Sequence, residues 1–247
     1  MGQDFTSDYL LDHRIKIFQP VNGYRASSDA IILSSLVKEI KEGEKVLDIG
    51  SGTGAISLCL AYRFRKALIT GLEIQPRLAE LANLSAKENG FDNVCFINTD
   101  IRTPDTLQFG QYDHIITNPP YAENDMPSPN SGKATAHNLE NFNLKQWLET
   151  SLKYLRPRGM FYTINRAEAI AEIMQTLNGR VGDIFIVPLF SKNNQNAKRV
   201  MISARKSCRT PCRIAQGLIV HNEDGTYSEE AQKILRAGYS FFAAREK

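Results

Sequence analysis

Paired cysteines, long apolar runs and clustered metal ligands are all missing from this sequence of 247 residues. Four cysteines are present, Cys59, Cys95, Cys208 and Cys212, and no Cys-x-x-Cys motif occurs. Neither Cys208 nor Cys212 has a nearby histidine or a further cysteine to complete a zinc site. The pattern excludes a disulfide-stapled secreted scaffold, and we expect reduced thiols and no bound metal.

Membrane-spanning and secretory segments are also absent from the sequence. No apolar run approaches the roughly 20 residues that a transmembrane helix needs. The first ten residues include two acids and lack the apolar core of a signal peptide. Hydrophobic residues at 42% and charged residues at 23% are typical of a globular chain and exclude wholesale disorder. We therefore expect a folded cytoplasmic protein.

Basic residues are concentrated in the second half of the chain. Residues 1–150 hold 14 Lys and Arg against 19 Asp and Glu (net −5), whereas residues 151–247 hold 16 against 8 (net +8). Residues 191–213 include seven basic residues and no acid. This asymmetry fits a polyanionic partner such as a nucleic acid, but a solvent-exposed charged face explains the composition equally well.

Short apolar strands alternate with amphipathic helices along most of the chain. Expected strands cover residues 45–49, 67–73, 94–98, 112–117 and 160–164, and expected helices cover 29–40, 55–64, 76–89, 144–155 and 166–177. This alternation predicts an α/β fold with a doubly wound, mostly parallel sheet. Residues 181–189 and 199–204 have no helix between them, so they predict a terminal antiparallel hairpin.

The segments outside this alternation suggest how the chain is organised. We expect an N-terminal arm and helix (residues 1–42), a core (43–206) and a C-terminal extension packed on the core (207–247). Within the arm, residues 10–25 predict a short hairpin or an extended segment with a turn at residues 22–23. The polar stretch 122–141 predicts a long loop, which in a compact domain is usually functional or disordered.

A glycine-rich loop follows the first expected core strand. Its residues are Asp48-Ile-Gly50-Ser-Gly52-Thr-Gly54, and a helix follows directly. Glycines let the backbone approach a ligand closely, and the start of the helix offers unsatisfied N–H groups. Glu73 lies 19 residues after Gly54, where doubly wound nucleotide folds place a carboxylate for ribose hydroxyls. Glycines needed only for the turn are the alternative explanation.

The tetrapeptide Asn118-Pro119-Pro120-Tyr121 ends another expected strand. The two prolines remove two backbone donors and hold the chain rigid, so that the side-chain carbonyl of Asn118 has a fixed position. Tyr121 adds a flat aromatic face. A structural proline turn is the alternative, but ligands of such sheets bind at the carboxyl ends of the strands, which favours a functional role.

Together, the two motifs resemble those of class I S-adenosylmethionine-dependent methyltransferases, and the tetrapeptide is similar to the signature of enzymes that methylate an exocyclic or amide nitrogen. Three further segments are similar to those of one bacterial family. They are residues 23–30 (Gly-Tyr-Arg-Ala-Ser-Ser-Asp-Ala), 197–200 and 221–228. This family comprises the tRNA adenine-N6 methyltransferases similar to the enzyme for the adenosine 3′ of a valine tRNA anticodon. The resemblance implies a seven-stranded Rossmann-like sheet.

The resemblance also implies which residues bind S-adenosylmethionine. The implied cofactor-binding residues are Asp48, Gly50, Ser51, Gly52, Gly54, Glu73, Asp100, Ile101, Asn118, Ser27 and Asp29. Among them, Asp48 and the loop 50–54 hold the methionine part of the cofactor. Glu73 binds the ribose, and Asp100 with the backbone of Ile101 contacts the adenine ring.

The implied catalytic residues are Asn118, Pro119, Pro120 and Tyr121. If Asn118 Oδ1 and the Pro119 carbonyl accept both hydrogens of adenine N6, the nitrogen lone pair turns toward the methyl group, and no general base is needed. Tyr121 stacks on the target base. The candidate RNA contacts lie at the mouth of the site or in the basic run, and are Tyr24, Arg25, Lys198, Arg199 and Arg205.

We therefore expect methyl transfer from S-adenosylmethionine to the N6 of an adenosine in tRNA. The alternatives are N-methylation of rRNA guanine N2, a DNA base or a protein glutamine, or a non-catalytic RNA-binding module on the same fold. The basic run favours a nucleic acid over a protein, and the lack of a separate target-recognition domain disfavours DNA. The sequence identifies neither the tRNA nor the nucleotide, and it leaves the oligomeric state open, with a monomer compatible.

Overall fold

The computed structural model describes residues 4–102, 110–120 and 142–245. Its N-terminal arm is an antiparallel hairpin of β1 (Phe5–Leu10) and β2 (Ile15–Pro20). The hairpin turns at residues 11–14, not at the Asn-Gly pair 22–23, because three consecutive residues at the turn adopt positive φ angles. Tyr121 and the predicted loop 122–141 lie outside the described residues.

The remaining strands and helices follow the predicted alternation. In chain order they are α1 (Ser28–Ser35), β3 (Lys45–Ile49), α2 (Ala55–Arg63), β4 (Leu68–Glu73), α3 (Pro76–Glu88), β5 (Val94–Asn98), β6 (Tyr112–Thr117), α4 (Leu144–Tyr154), β7 (Leu155–Arg166), α5 (Ile170–Leu177), β8 (Val181–Phe190), β9 (Ala197–Lys206), β10 (Arg213–Ile214), β11 (Leu218–Ile219) and α6 (Glu229–Leu235). The largest differences from the expected boundaries concern α5, α1 and the start of β7. Helix α5 begins four residues late, because β7 continues to Arg166 and a 3-10 helix covers Ala167–Ala169. Helix α1 ends five residues early, and β7 begins at residue 155 because Arg158, at φ +66°, makes an irregularity within the strand instead of a turn before it.

The central sheet has the strand order β5-β4-β3-β6-β7-β9-β8. Strands β3 to β7 are parallel, and β9 runs antiparallel between β7 and β8. The predicted doubly wound, mostly parallel sheet and its terminal antiparallel hairpin are therefore confirmed. The short strands β10 and β11 extend the seven predicted strands, because both pair in parallel with β8.

Each face of the sheet packs against its own layer of helices. Successive residues of β3 point to opposite faces, so Val46 joins the apolar cluster under α1, α2, α3 and α6, while Leu47 joins the cluster under α4 and α5. The sheet order reverses between β3 and β6, whose successors along the chain lie on opposite sides. Doubly wound sheets bind ligands outside the carboxyl ends of the strands at such a point.

The arm and the C-terminal extension pack on the core. In the arm, the backbone N–H of Phe18 donates to Ser85 Oγ of α3 at 2.9 Å. In the extension, Ile234 lies in the same apolar cluster as α1, and the N–H of Phe241 donates to the carbonyl of Ser35 at 2.8 Å. The division into arm, core and extension stays a prediction. Across the described ranges, no helix is long and apolar enough to cross a membrane.

Candidate active site

A cavity of about 540 Å³ opens at the carboxyl ends of β3, β4 and β6. Eleven of the sequence-predicted site residues line it, namely Tyr24, Arg25, Ser27, Gly50, Gly52, Glu73, Asp100, Ile101, Asn118, Pro119 and Pro120. Asp48, Ser51 and Gly54 do not line this cavity, and neither does Asp29. The structure therefore brings the two motifs together in one space, with part of the glycine-rich segment behind its wall.

The glycine-rich loop is held against the next strand by its backbone. The N–H groups of Gly50 and Ser51 both donate to the carbonyl of Leu72 at 2.9 Å. Gly52 adopts φ +56°, and a Cβ there would lie 2.5 Å from Cε1 of Tyr24. Glycine is therefore required at residue 52 both for the backbone conformation and for the approach of the tyrosine ring.

Glu73, at the end of β4, is bonded to the loop it faces. Its Oε2 accepts from the N–H of Gly52 at 2.8 Å, and its Oε1 accepts from the N–H of Gln75 at 2.8 Å. Burial raises the pKa of Glu73, while the backbone N–H groups of Gln75, Gly52 and Ile74 act in the opposite direction. Each carboxylate oxygen has a further acceptor position. Glu73 can therefore accept from a diol in the cavity without leaving the loop.

Asp48 lies behind the loop and is fully buried. Its Oδ2 accepts from the hydroxyl of Ser57 at 2.7 Å, and its Oδ1 has no partner among the described residues. Burial, followed by the nearby charge of Glu73, raises the pKa of Asp48 to about 7. A cation bound in front of the loop would favour the ionised form of this carboxyl group.

Asn118 directly follows β6 and faces the same cavity. Its Oδ1 is buried and accepts no hydrogen bond from any described residue. The next residue, Pro119, is buried, whereas Pro120 is exposed, so the turn leaves the sheet for the surface directly after Pro119. A buried carbonyl oxygen without a partner costs free energy, and such atoms in native structures often mark a binding function.

Asp100 forms an ion pair at the opposite wall. Its carboxylate accepts from Arg102 Nε at 2.9 Å and from the N–H of Arg102 at 2.8 Å, and these bonds lower the pKa of Asp100. The adjacent carbonyl of Ile101 accepts from the hydroxyl of Tyr154 at 3.0 Å. Both residues line the cavity, and their predicted contacts with an adenine ring stay predictions.

Two aromatic residues of the cavity wall were not predicted. The sequence places Trp147 on an amphipathic helix, which suggests a core residue. The structure gives it both roles, because it is only 7% exposed and still lines the cavity beside Phe142. The sequence signal for both residues is the helix start at Asn143, which forms a capping box with Gln146. Phe142 and Trp147 flank this start at the spacing of a hydrophobic staple, and their rings are in contact.

Comparison with known proteins identifies the family. A family described as a methyltransferase domain matches residues 40–234. The chain belongs to this methyltransferase family. One relative is the tRNA1(Val) (adenine(37)-N6)-methyltransferase of Porphyromonas gingivalis, 26% identical over 95% of this chain and 96% of its own length. Another, of the same name from Pedobacter heparinus, is 33% identical over 57% of this chain and 59% of its own length.

Solved structures show the same fold. A predicted O-methyltransferase from Agrobacterium tumefaciens has a TM-score of 0.71 at 23% identity, over 86% of this chain and 97% of its own. TYW2 from M. jannaschii, solved with AdoMet, has a TM-score of 0.59 at 16% identity, over 83% of this chain and 87% of its own. The relatives carry the name of the bacterial family that the sequence resembles, so the predicted methyltransferase class is confirmed.

In this methyltransferase, the predicted RNA contacts on β9 lie at opposite ends of that strand. Strand β9 pairs antiparallel with β7, with Arg199 opposite Arg166 and Arg205 opposite Met160. Lys198 and Arg199 therefore lie beside the carboxyl end of β7, at the same end of the sheet as the cavity, and Arg199 Nε is 3.1 Å from Asp29 Oδ2. Arg205 lies six residues further, about 20 Å along an extended strand. All three contacts stay predictions, and none of the three residues lines the cavity.

Proposed function

We propose that this protein transfers a methyl group from S-adenosylmethionine to the N6 of an adenosine in tRNA. The observation that carries the proposal is Asn118, a residue of the cavity wall whose buried Oδ1 accepts no hydrogen bond from the described residues. An amino group with two hydrogens to donate satisfies such an oxygen. The names of the relatives indicate the acceptor, the adenine at position 37 of a valine tRNA.

The residues of the cavity fit S-adenosylmethionine. Glu73 is placed to accept from the ribose hydroxyls, and the close backbone of Gly50 and Gly52 leaves room for the methionine part. The cofactor, when bound, supplies a methyl group on a positively charged sulfur, which is already an activated electrophile. Asp48 and Glu73 place two carboxyl groups next to this space, and a cationic ligand bound there favours the ionised form of both groups.

Catalysis by these residues is mainly orientation. The lone pair of adenine N6 is delocalised into the ring, so the free amino group is a poor nucleophile. Asn118 Oδ1 and the carbonyl of Pro119 accept its two hydrogens and turn the lone pair out of the ring plane. The methylated nitrogen is acidic and loses its proton readily, so no histidine or carboxylate base is required. Orientation of this kind contributes a large part of the rate in group transfer.

The RNA approaches the carboxyl edge of the sheet. A base in a duplex cannot reach the cavity without being flipped out, so a loop nucleotide such as one beside an anticodon is the easier substrate. Tyr24 and Arg25 line the entrance, and Lys198 is exposed at the same edge. We assign these residues to the RNA, together with Tyr121 as a stacking partner of the base. A tRNA substrate places the enzyme in the cytoplasm.

The experiment is methyl transfer from labelled S-adenosylmethionine to separate samples of tRNA, rRNA, DNA and protein. The proposal expects label in tRNA, recovered as N6-methyladenosine after digestion to nucleosides. Unmodified valine tRNA transcripts with adenosine or guanosine at position 37 then test the nucleotide. Label in rRNA guanine, in DNA or in protein glutamine would replace the proposed acceptor, and no transfer to any sample would favour a non-catalytic binding protein.

A further inference from the structure

One buried hydroxyl connects the two motifs of the site. Thr117 Oγ1 donates to the carbonyl of Ile49 at 2.8 Å and accepts from Trp147 Nε1 at 2.9 Å. Ile49 immediately precedes Gly50, the first glycine of the glycine-rich loop, and Thr117 immediately precedes Asn118. Thr117 is fully buried, and both of its bonds stay out of water. The ends of β3, β6 and the first turn of α4 thus meet at one side chain.

The hydrogen bond from Thr117 to Ile49 lies where the pairing of β3 with β6 ends. Ile49 and Thr117 are the last registered pair of β3 with β6, and beyond them the two chains diverge into the loop and the tetrapeptide. The hydroxyl bond adds a side-chain contact at the point where the ladder ends. In the proposed reaction, the loop after β3 holds the methyl donor and the turn after β6 holds the acceptor.

Trp147 is held in place from two sides. The capping box and the staple with Phe142 define the start of α4, where the N–H of Trp147 donates to the carbonyl of Asn143 at 3.0 Å. The indole ring packs on the loop so closely that a Cβ on Gly50 would lie 3.0 Å from its Cζ2. The ring therefore supports the loop by contact while its N–H group fixes Thr117.

We propose that Thr117 and Trp147 are positioning residues that hold the glycine-rich loop and Asn118 in register for methyl transfer. This inference rests on the proposed function. Reacting atoms must lie within about 3–3.5 Å in the correct orientation, and a displacement of about 1 Å costs on the order of a hundredfold in rate. The link acts on the relative position of donor and acceptor, so its loss lowers turnover more than cofactor affinity.

The decisive variant is Thr117→Val, which keeps the shape of the side chain and removes both hydrogen bonds. We expect kcat to fall about 10- to 100-fold while the Kd of S-adenosylmethionine changes less than about threefold. Thr117→Ser restores the hydroxyl and is expected to restore most of the turnover. Thr163→Val is the matched control, because Thr163 pairs with Thr117 on the adjacent strand and its buried hydroxyl has no partner among the described residues.

A double-mutant cycle separates this link from general packing. Trp147→Phe keeps an aromatic ring against Gly50 and removes the indole N–H. If the two residues act through one bond, the loss in kcat of Thr117→Val and Trp147→Phe together is smaller than the product of the single losses. Independent, multiplicative losses would overturn the link. Melting temperatures of all variants show whether the fold is retained.

The single tryptophan of the chain provides a readout that does not depend on catalysis. Its indole N–H gives one NMR signal, which should exchange slowly with solvent in the wild type and faster in Thr117→Val. Addition of S-adenosylmethionine alone should shift this signal, because Trp147 lines the cavity. Equal exchange rates in the two proteins would show that the bond does not form and would overturn the inference.

Failure of the inference and failure of the proposed function give different results. If wild-type protein methylates rRNA, DNA or protein instead of tRNA, the proposed acceptor is wrong, and the Thr117 series is measured on the acceptor that takes up label. If Thr117→Val keeps wild-type kcat on that acceptor, or loses cofactor affinity as much as turnover, the positioning role is overturned. A wild type without any transfer overturns both.

Discussion

Glu73 Oε2 lies 2.8 Å from the backbone nitrogen of Gly52, so the carboxylate predicted to bind ribose is also the group that holds the glycine-rich loop. From the sequence spacing, Glu73 is predicted only as an acceptor for the ribose hydroxyls of a ligand. The structure shows that the acid first completes the protein's own loop and then faces the cavity. Loss of Glu73 therefore removes a ligand contact and a loop contact together.

Glu73→Ala should weaken S-adenosylmethionine binding about 10- to 100-fold. Hydrogen bonds to a charged group contribute about 1.5–3 kcal/mol each, and the loop loses its anchor as well. Isothermal titration calorimetry on the folded variant measures the change. Glu42→Ala is the control, because Glu42 is an exposed acid that forms a surface ion pair with Lys66. Wild-type affinity in Glu73→Ala would remove Glu73 from the cofactor site.

Asn118→Ala should lower kcat at least tenfold, with cofactor affinity nearly unchanged. The reason is that its buried carbonyl oxygen has no partner among the described residues and is the acceptor that we propose for the target amino group. Single-turnover methylation of tRNA, measured beside cofactor titrations, separates the two effects. Equal losses of turnover and of cofactor affinity would instead assign Asn118 to cofactor binding or to folding.

Lys198→Ala should weaken tRNA binding and reduce the slope of log affinity against log salt concentration by about one unit. Each lost phosphate contact releases about one counterion fewer. Arg205→Ala removes the same charge from the same strand, but at the other edge of the sheet, where Arg205 Nε lies 3.6 Å from Asp183 Oδ2. Its effect is expected to be smaller. Equal salt slopes in the wild type and Lys198→Ala would show that Lys198 belongs to a solvent-exposed charged face and does not contact the RNA.

Asp48→Asn should change how stability depends on pH. The pKa of Asp48 is raised from 3.8 to about 7 in the folded protein, so the folded state binds a proton that the unfolded state releases between these values. Wild-type stability contributed by this proton is therefore present at low pH and lost as the pH rises toward 7. Asparagine keeps an acceptor for Ser57 and does not titrate.

Between pH 5 and pH 7, the unfolding free energy of the wild type should fall by about 1–3 kcal/mol relative to Asp48→Asn. Urea unfolding at several pH values measures this difference. Exposed groups titrate identically in both proteins and cancel in the comparison. Parallel pH profiles would show that the carboxyl group of Asp48 is ionised throughout this range.

The fold class and the two motifs could be predicted because their signals are local. A strand, a turn and a helix are specified by the periodicity of apolar residues and by glycine or proline at the turn. The stretch from Asp48 to Gly54 and the tetrapeptide at Asn118 each carry such signals in fewer than ten residues. Parallel strands then bring their carboxyl ends to one edge, so the site's location followed from the class of sheet.

What only the tertiary structure decided is which side chains meet across the sheet. Trp147 lies about a hundred residues after Gly50 and still packs against it, while Arg205, near Arg199 in sequence, lies at the opposite edge. Strand order and strand direction determine both outcomes, and they arise from packing between residues far apart in the chain. Periodicity within one segment contains no information about its neighbours. The link through Thr117 exists only once β3, β6 and α4 have packed together.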